Sequence, residues 1–203
     1  PHGWTNKAQK VIPLQPPEYF STFLNMKPVS ATFHTMISLE PFGLPEVPVI
    51  GMKNQAEAAA GLADHSHEAI LEVCFVKRGQ IFFDVGGQGY DVRGGEVFLT
   101  FPGEIHSTGN QPFPRGFLYW IQVRLPRAGV PFLLLEPGEA GRMVEALATL
   151  ERRHFPGTRG MEKDFAELFR LVREKPRPLR RLSLASRVTN LLLAVCDAAR
   201  HNR

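Results

Sequence analysis

The segment from residue 69 to about residue 125 restricts the fold more than any other part of the chain. Short runs rich in valine, isoleucine, phenylalanine and tyrosine alternate there with glycine-containing turns, in the order ILEVCFVK, QIFFDV, GGQG, YDV, RGG and EVFLTF. β-Branched and aromatic residues favour strands, and closely spaced glycines allow tight turns between antiparallel neighbours. Several short strands at regular spacing therefore predict a sandwich or a barrel.

The last of these strands, FLYWIQVRL at residues 117–125, alternates cleanly. Successive side chains of a strand point to opposite faces, so the residues divide into two sets. One set contains Phe117, Tyr119, Ile121, Val123 and Leu125; the other contains Leu118, Trp120, Gln122 and Arg124. The pattern predicts a strand with two distinct faces.

After Pro137 the apolar spacing becomes helical and predicts three helices. A proline pair at residues 176–178 interrupts this region, because proline cannot continue a helix. The last helix is predicted at about 181–200, with an apolar stripe formed by Leu184, Val188, Leu191 and Val195. We divide the chain into an N-terminal arm with the first strands (1–63), a barrel core (64–135) and a helical region (136–203).

The remaining composition is that of an ordinary soluble protein. Cys74 and Cys196 are the only cysteines, which indicates a reducing compartment and a cytoplasmic protein. No apolar run reaches the roughly 18 residues that span a bilayer, so no membrane partner is expected. Nine basic residues lie between Arg170 and Arg203, which fits either proximity to nucleic acid or a solvated helix face.

Histidines at two places in the strand region are candidate metal ligands. His65 and His67 are two residues apart and project to the same side of an extended chain, whereas Glu72 joins them only if the chain bends. His106 follows in PGEIHSTGN. Three imidazoles and a carboxylate suit a divalent transition metal such as Zn, Ni, Fe or Mn, but they also form hydrogen-bonded pockets without a metal. His34, His154 and His201 are interpreted as surface or incidental residues.

These residues resemble the two motifs of the cupin superfamily. HSHEAILEVCFVKRG has the histidine, glutamate and glycine spacing of the first motif, and GGEVFLTFPGEIHSTGN is similar to the second. The resemblance implies a cupin barrel, that is, a double-stranded β-helix or jelly roll, in a mostly β chain with C-terminal helices. It also implies that His65, His67, Glu72 and His106 take the four metal-ligand positions.

Within that superfamily, the sequence resembles one branch more closely than the others. GGEVFLTFPGEIH, followed by an aromatic strand ending in RLPR and by helices, resembles the N-terminal sensor domain of AraC-type transcriptional regulators over roughly residues 64–200. The resemblance implies a helical dimerisation hairpin after the barrel and a helix-turn-helix module after the hairpin. The chain stops where that module would begin, so promoter DNA is an expected partner through a missing domain.

The resemblance also assigns residues to ligand and dimer contacts. It implies that a small-molecule effector, a sugar or a small organic acid, binds at His65, His67, His106, Thr108, Tyr119 and Ile121. A metal would anchor a ligand carboxylate or hydroxyl, or stiffen the barrel. Dimer contacts are expected from Leu184, Val188, Leu191 and Val195.

Two functions from different classes remain open. In the first, the chain is the sensing and dimerisation domain of an AraC-type regulator and is not an enzyme. In the second, it is a metal-dependent cupin enzyme of the dioxygenase or sugar isomerase type. The leucine-rich helices and the basic segment favour the sensor.

Overall fold

The computed structural model describes residues 32–201, so the first 31 residues of the predicted arm lie outside the description. Within these residues the strands are β1 (Phe33–Ile37), β2 (Val49–Gln55), β3 (Ile70–Arg78), β4 (Gln80–Val85), β5 (Gln88–Arg93), β6 (Glu96–Thr100), β7 (His106–Ser107), β8 (Gly116–Arg124) and β9 (His154–Pro156). The helices are α1 (Pro137–Ala148), α2 (Arg159–Arg173) and α3 (Arg180–His201).

The strands form two antiparallel sheets. Six strands make the larger sheet in the order β1-β2-β8-β3-β6-β9, and three make the smaller one in the order β5-β4-β7. Strands β8 and β3 lie in the middle of the larger sheet, with Cys74 opposite Trp120. The predicted architecture is confirmed: a mostly β chain with two antiparallel sheets is followed by C-terminal helices.

The turn between β4 and β5 illustrates the role of the glycines. Gly86 and Gly87 have φ angles of 58° and 87°, in the left-handed region that residues with a Cβ rarely adopt. Two consecutive positive φ angles give the turn whose twist matches that of an antiparallel hairpin. The adjacent glycines therefore close this hairpin as the sequence predicts.

Two apolar cores lie on opposite faces of the larger sheet. The core between the sheets contains Cys74, Phe83, Phe98 and Trp120, with the rings of Phe83 and Phe98 stacked at 4.5 Å. The other core lies between the larger sheet and the helices. The strands therefore alternate between an interior set of side chains and a set that contacts the helices.

Helix α2 lies on the outer face of the sheet, and α3 packs against α2. Thr158 caps α2 by accepting a hydrogen bond from the backbone N–H of Met161. On α2, Phe165 stacks on Tyr119 of β8 with ring centroids 5.3 Å apart. Arg187 of α3 donates to Asp164 of α2 at 2.9 Å, which fixes the two helices side by side.

The predicted dimer stripe requires a correction. Leu184, Val188, Leu191 and Val195 are each 0% exposed within a single chain, where they form part of the core beneath the helices. Side chains already buried inside one chain have no surface left for a second copy. The exposed leucines of α3 are instead Leu182 and Leu193, at 54% and 49%.

Helix α3 also bears on the membrane question. Among the described residues, its segment Arg180–Arg200 is long and apolar enough to cross a membrane by length and composition, but half of the apolar window is buried in the chain. The four fully buried residues of the stripe all lie in this segment. We therefore interpret α3 as a core helix.

Strand β9 is an element that the helical pattern after Pro137 did not predict. His154 lies opposite Phe98, and its Nε2 is 2.8 Å from Glu96 Oε2. The histidine thus occupies the edge of the larger sheet in a polar pair. The helical region returns to the barrel at this strand and adds an edge to it.

Candidate functional site

The structure brings His65, His67 and His106 together at one end of the space between the sheets. Their ring centroids are 4.1–5.6 Å apart, and one ring nitrogen from each lies within 4.8 Å of the others. Backbone hydrogen bonds of 3.1 and 2.9 Å join His65 to His106 in both directions. The chain segment that carries the His-x-His pair therefore docks on the segment that carries His106.

Glu72 reaches this group because the chain bends before β3. Ala69 has a φ angle of 55°, which supplies the bend that the odd spacing between His67 and Glu72 requires. Glu72 Oε1 lies 3.9 Å from His106 Nε2, and Glu72 Oε2 lies 3.9 Å from His67 Nε2. All four predicted ligand residues are thus at the same end of the barrel.

Gln122 is a member of the group that the sequence interpretation missed. Its side-chain amide donates to Glu72 Oε2 at 2.7 Å and to His67 Nε2 at 3.1 Å. An amide nitrogen only donates, so His67 accepts through Nε2 and its proton is on Nδ1. Gln122 lies on the interior face of β8, which its place in the alternating pattern identifies.

Two imidazoles are oriented by backbone carbonyls. His65 Nδ1 donates to the carbonyl oxygen of Ala63 at 2.9 Å, and His106 Nδ1 donates to that of Glu104 at 3.1 Å. A carbonyl only accepts, so the Nδ1 atom of each of these two rings carries a proton. His106 Nε2 is buried and has no hydrogen-bond partner among the described residues. It is an acceptor aimed into the cluster.

Burial favours the neutral form of two of these imidazoles, His67 and His106. It lowers the pKa of His106, and it is also the main cause that lowers the pKa of His67, although Glu72 opposes it. A neutral imidazole offers its lone pair to a metal ion or to a ligand hydroxyl. His67 and His106 therefore act as acceptors at neutral pH rather than as positive charges.

The turn before His106 is held by Glu104. Its carboxylate accepts two hydrogen bonds from Arg153, at 2.7 and 2.8 Å, and a third from the backbone N–H of Phe101 at 2.8 Å. The Arg153 guanidinium holds the pKa of the Glu104 carboxyl below its usual range. Because Glu104 also orients His106 through its carbonyl, this ion pair connects the β9 segment to the cluster.

Replacing Arg153 with methionine is expected to lower the free energy of unfolding by about 1–2 kcal/mol, since a half-buried bidentate pair is lost. The matched control is Arg142→Met, which removes an exposed pair with Glu139 on α1 and is expected to change it by less than about 0.5 kcal/mol. Urea denaturation measures both. Equal effects would contradict a special role for the Glu104–Arg153 pair.

The cluster lies at one end of a cavity of about 140 Å³ between the sheets. Its walls include the apolar side chains of Met36, Phe83, Leu118 and Trp120. His34 and Lys53 also line it, and His34 is exposed, which agrees with its interpretation as a surface residue. The side chain of Trp120 fits because Gly51 leaves room for it: a Cβ atom there would lie 2.0 Å from Trp120 Cε2.

Two of the predicted ligand residues lie on the other face of β8. Tyr119 and Ile121 are buried in the core beneath the helices, where Tyr119 stacks on Phe165. Neither lines the cavity, so their predicted ligand contact is corrected. The resemblance selected the outward set of β8, whereas the inward set, Trp120 and Gln122, faces the cavity.

Thr108 lines the cavity, but its hydroxyl is already hydrogen-bonded to backbone groups. It accepts from the backbone N–H of Leu62 at 2.9 Å and donates to the carbonyl of Gln111 at 2.9 Å. Thr108 therefore anchors the loop that carries His65. Cys74 also lines the cavity, and burial raises the pKa of its thiol well above the usual range, which argues against a nucleophile.

Comparison with known proteins gives one family match. The family model described as the AraC-like ligand binding domain matches residues 57–192, a range that contains the three clustered histidines, Trp120, Gln122 and α2. A comparison with curated proteins gives no match.

Several solved structures are similar to parts of the chain. A predicted oxalate decarboxylase from Thermotoga maritima has 19% identity and a TM-score of 0.40, over 46% of this chain and 81% of that one. A bacterial pirin from Escherichia coli in complex with nickel(II) has 22% identity and a TM-score of 0.35, over 42% and 38%. The Cnp3 cupin domain from Schizosaccharomyces pombe has 16% identity and a TM-score of 0.39, over 48% and 70%.

Proposed function

The chain belongs to the family of AraC-like ligand-binding domains, and on that premise we propose that it senses a small-molecule effector for an AraC-type transcriptional regulator. The effector site is the cavity between the two sheets. The observation that carries the proposal is the position of β8, whose inward residues line this cavity and whose outward residues contact the helices.

Strand β8 connects the two sides over a short distance. Trp120 and Gln122 face the cavity, and the neighbouring Tyr119 stacks on Phe165 of α2. A ligand that presses on Trp120 or draws the Gln122 amide away from Glu72 changes the forces on the strand that contacts α2. It shifts the helices only in so far as it prefers one arrangement of them over another.

A divalent transition metal is a proposed component of the site. The three clustered histidines fit such an ion because one ring nitrogen of each lies within 4.8 Å of the others and Nε2 of His106 is unpartnered among the described residues. Zn, Ni, Fe and Mn all accept such donors. Glu72 remains the proposed fourth ligand, although one of its oxygens accepts from Gln122. When bound, the ion would supply a Lewis-acid position for an effector carboxylate or hydroxyl.

Titration of the purified chain with Zn²⁺ or Ni²⁺ is expected to give one ion per chain. The change His106→Ala removes one of the three histidine ligands and is expected to weaken binding by about 100-fold or more. The matched control is His154→Ala, because His154 pairs with Glu96 outside the cluster. Equal affinity in the wild type and in His106→Ala, or no binding by the wild type, would contradict the metal proposal.

Dimerisation and DNA binding complete the proposal for a cytoplasmic regulator. A homodimer would use the exposed side of α3, where Leu182 and Leu193 lie eleven residues apart and thus on one helical face. Promoter DNA would be contacted through a helix-turn-helix domain of the parent regulator, as the family resemblance implies. The changes Leu182→Glu and Leu193→Glu together test the dimer by sedimentation.

The sensor and the enzyme alternative make opposite predictions about the bound molecule. A sensing domain releases its ligand unchanged, whereas a metal-dependent cupin enzyme converts it. The test incubates the metal-loaded chain with each molecule that quenches Trp120 fluorescence and identifies the recovered molecule by mass spectrometry. Recovery without conversion supports the sensor, and catalytic turnover that His106→Ala abolishes would establish the enzyme instead.

A further inference from the structure

The charged groups of the cavity are unevenly placed. Of the described residues that line it, Glu72 is the acidic one and Lys53 carries the permanent positive charge. Glu72 lies at the histidine end, where Gln122 donates to it. Lys53 lies at the other end, because it pairs in register with Leu118, four residues along β8 from Gln122. Four residues of a strand span about 13 Å, so the two ends are separate.

Lys53 is a half-buried ammonium group without an anion beside it. Among the described residues, the ion pair that a lysine makes is that of Lys77 with Glu162, so Lys53 has no carboxylate partner there. Its ammonium lies 3.9 Å from the ring centroid of Phe113. Burial lowers its pKa, and its charge in turn helps to lower the pKa of the neighbouring His34. Lys53 thus has a charge that an incoming anion would complement.

We propose that the effector is a small organic acid with one ring, whose carboxylate binds Lys53 and whose ring lies along Trp120 and Leu118. This assignment rests on the proposed sensing function and names the ligand class of the same cavity. His34, opposite Lys53 on β1, supplies a neutral imidazole N–H beside the carboxylate. The imidazole cluster remains a second polar end for a hydroxyl group or for a metal ion.

The kind of anion follows from the kind of cation. Phosphate and sulfate groups favour several donors, often the planar fork of arginine. Of the described residues that line the cavity, none is arginine, and a single lysine acts as a point charge. One negative charge is therefore matched by one ammonium group, which favours a monocarboxylate over a phosphorylated compound.

The size of the ligand follows from the cavity. A volume of about 140 Å³ is close to that of engineered apolar cavities that hold benzene, at about 150 Å³. Phe83 and Trp120 supply planar aromatic walls, and Leu118 adds an aliphatic one. Trp120 is itself wedged over Gly51, and its ring centroid lies 5.3 Å from that of His34, so the ring of the ligand would lie against a fixed indole.

The test uses matched acids and amides: benzoate with benzamide, phenylacetate with phenylacetamide, and cyclohexanecarboxylate with its amide. Binding is read from Trp120 fluorescence in a Trp4→Phe background, because Trp4 and Trp120 are the two tryptophans of the chain. Lys53→Met removes the charge and keeps most of the side-chain length. Lys163→Met, at an exposed position on α2, is the matched control.

At least one acid is expected to bind about tenfold or more tightly than its amide. Lys53→Met is expected to remove most of that difference by weakening the acid, whereas Lys163→Met leaves it unchanged. Equal binding of acids and amides, or equal losses for both in Lys53→Met, would overturn the organic-acid assignment and leave the sensing cavity intact. Absence of binding by every acid and every amide would overturn the assignment and count against the cavity as well.

Discussion

Replacing Leu191 with alanine is expected to lower the free energy of unfolding by about 2–5 kcal/mol, enough to unfold much of a marginally stable chain. Leu191 is 0% exposed in the core between the helices and the larger sheet. Truncation removes apolar contacts and leaves a cavity that rigid neighbours do not fill. Thermal or urea denaturation, followed by circular dichroism, measures the loss.

A leucine directly before the same helix is a matched control for this prediction. Leu179→Ala makes the same chemical change at a side chain that is 64% exposed, and is expected to cost less than about 1 kcal/mol. A loss for Leu191→Ala no larger than that for Leu179→Ala would contradict the burial of Leu184, Val188, Leu191 and Val195 within one chain. That result would reopen the dimer contacts expected from the sequence.

Replacing Gly51 with alanine is expected to cost about 1–3 kcal/mol and to abolish ligand binding that Trp120 reports. An added Cβ would lie 2.0 Å from Trp120 Cε2 and 2.1 Å from Cζ2, distances at which the indole must leave its place. An indole displaced toward the cavity that it lines would occupy ligand space. The loss of stability and the loss of binding therefore have one cause.

A double-mutant cycle separates this steric cause from a backbone effect. With Trp120→Ala already present, Gly51→Ala is expected to be neutral or to stabilise the strand by about 0.5–1 kcal/mol, because alanine favours a strand more than glycine does. Denaturation of the four proteins gives the coupling. An equal loss of unfolding free energy for Gly51→Ala in both backgrounds would contradict a steric clash between a Cβ at residue 51 and the Trp120 ring.

The sequence predicted the barrel because its pattern is local. Glycine pairs such as Gly86 and Gly87 specify their own turn, and alternation within residues 117–125 specifies a strand regardless of what covers it. Strand β9 was missed because a strand of three residues is too short to show an alternating pattern of apolar and polar residues. Its existence depends on β6, which lies more than fifty residues earlier in the chain.

The two faces of β8 explain why the site was only partly predicted. Alternation separates Tyr119 and Ile121 from Trp120 and Gln122, but both sets are mostly apolar. Which set faces a cavity depends on where the helices dock, and that is a tertiary property. Gln122 could have indicated which face of β8 lines the polar site, because a polar residue in a central strand needs a polar partner.

The stripe on α3 shows the same limit. An apolar stripe at helical spacing must be covered, but periodicity does not distinguish a neighbouring helix of the same chain from a second copy. In this structure α2 packs on α3, and Arg187 pairs with Asp164 between them. The stripe is therefore buried within its own chain. The histidines were predicted correctly as a group because their motif spacing, rather than their surroundings, identified them.

Hydrogen–deuterium exchange with the tightest-binding acid of the panel tests the central claim, that β8 links the cavity to the helices. The account predicts slower exchange in β8 (116–124) and in α2 (159–173) when the wild type is saturated. Lys53→Met at the same concentration of acid is expected to show little change, because it binds the acid more weakly. Slower exchange in neither segment, or an equal response in Lys53→Met, would contradict the account.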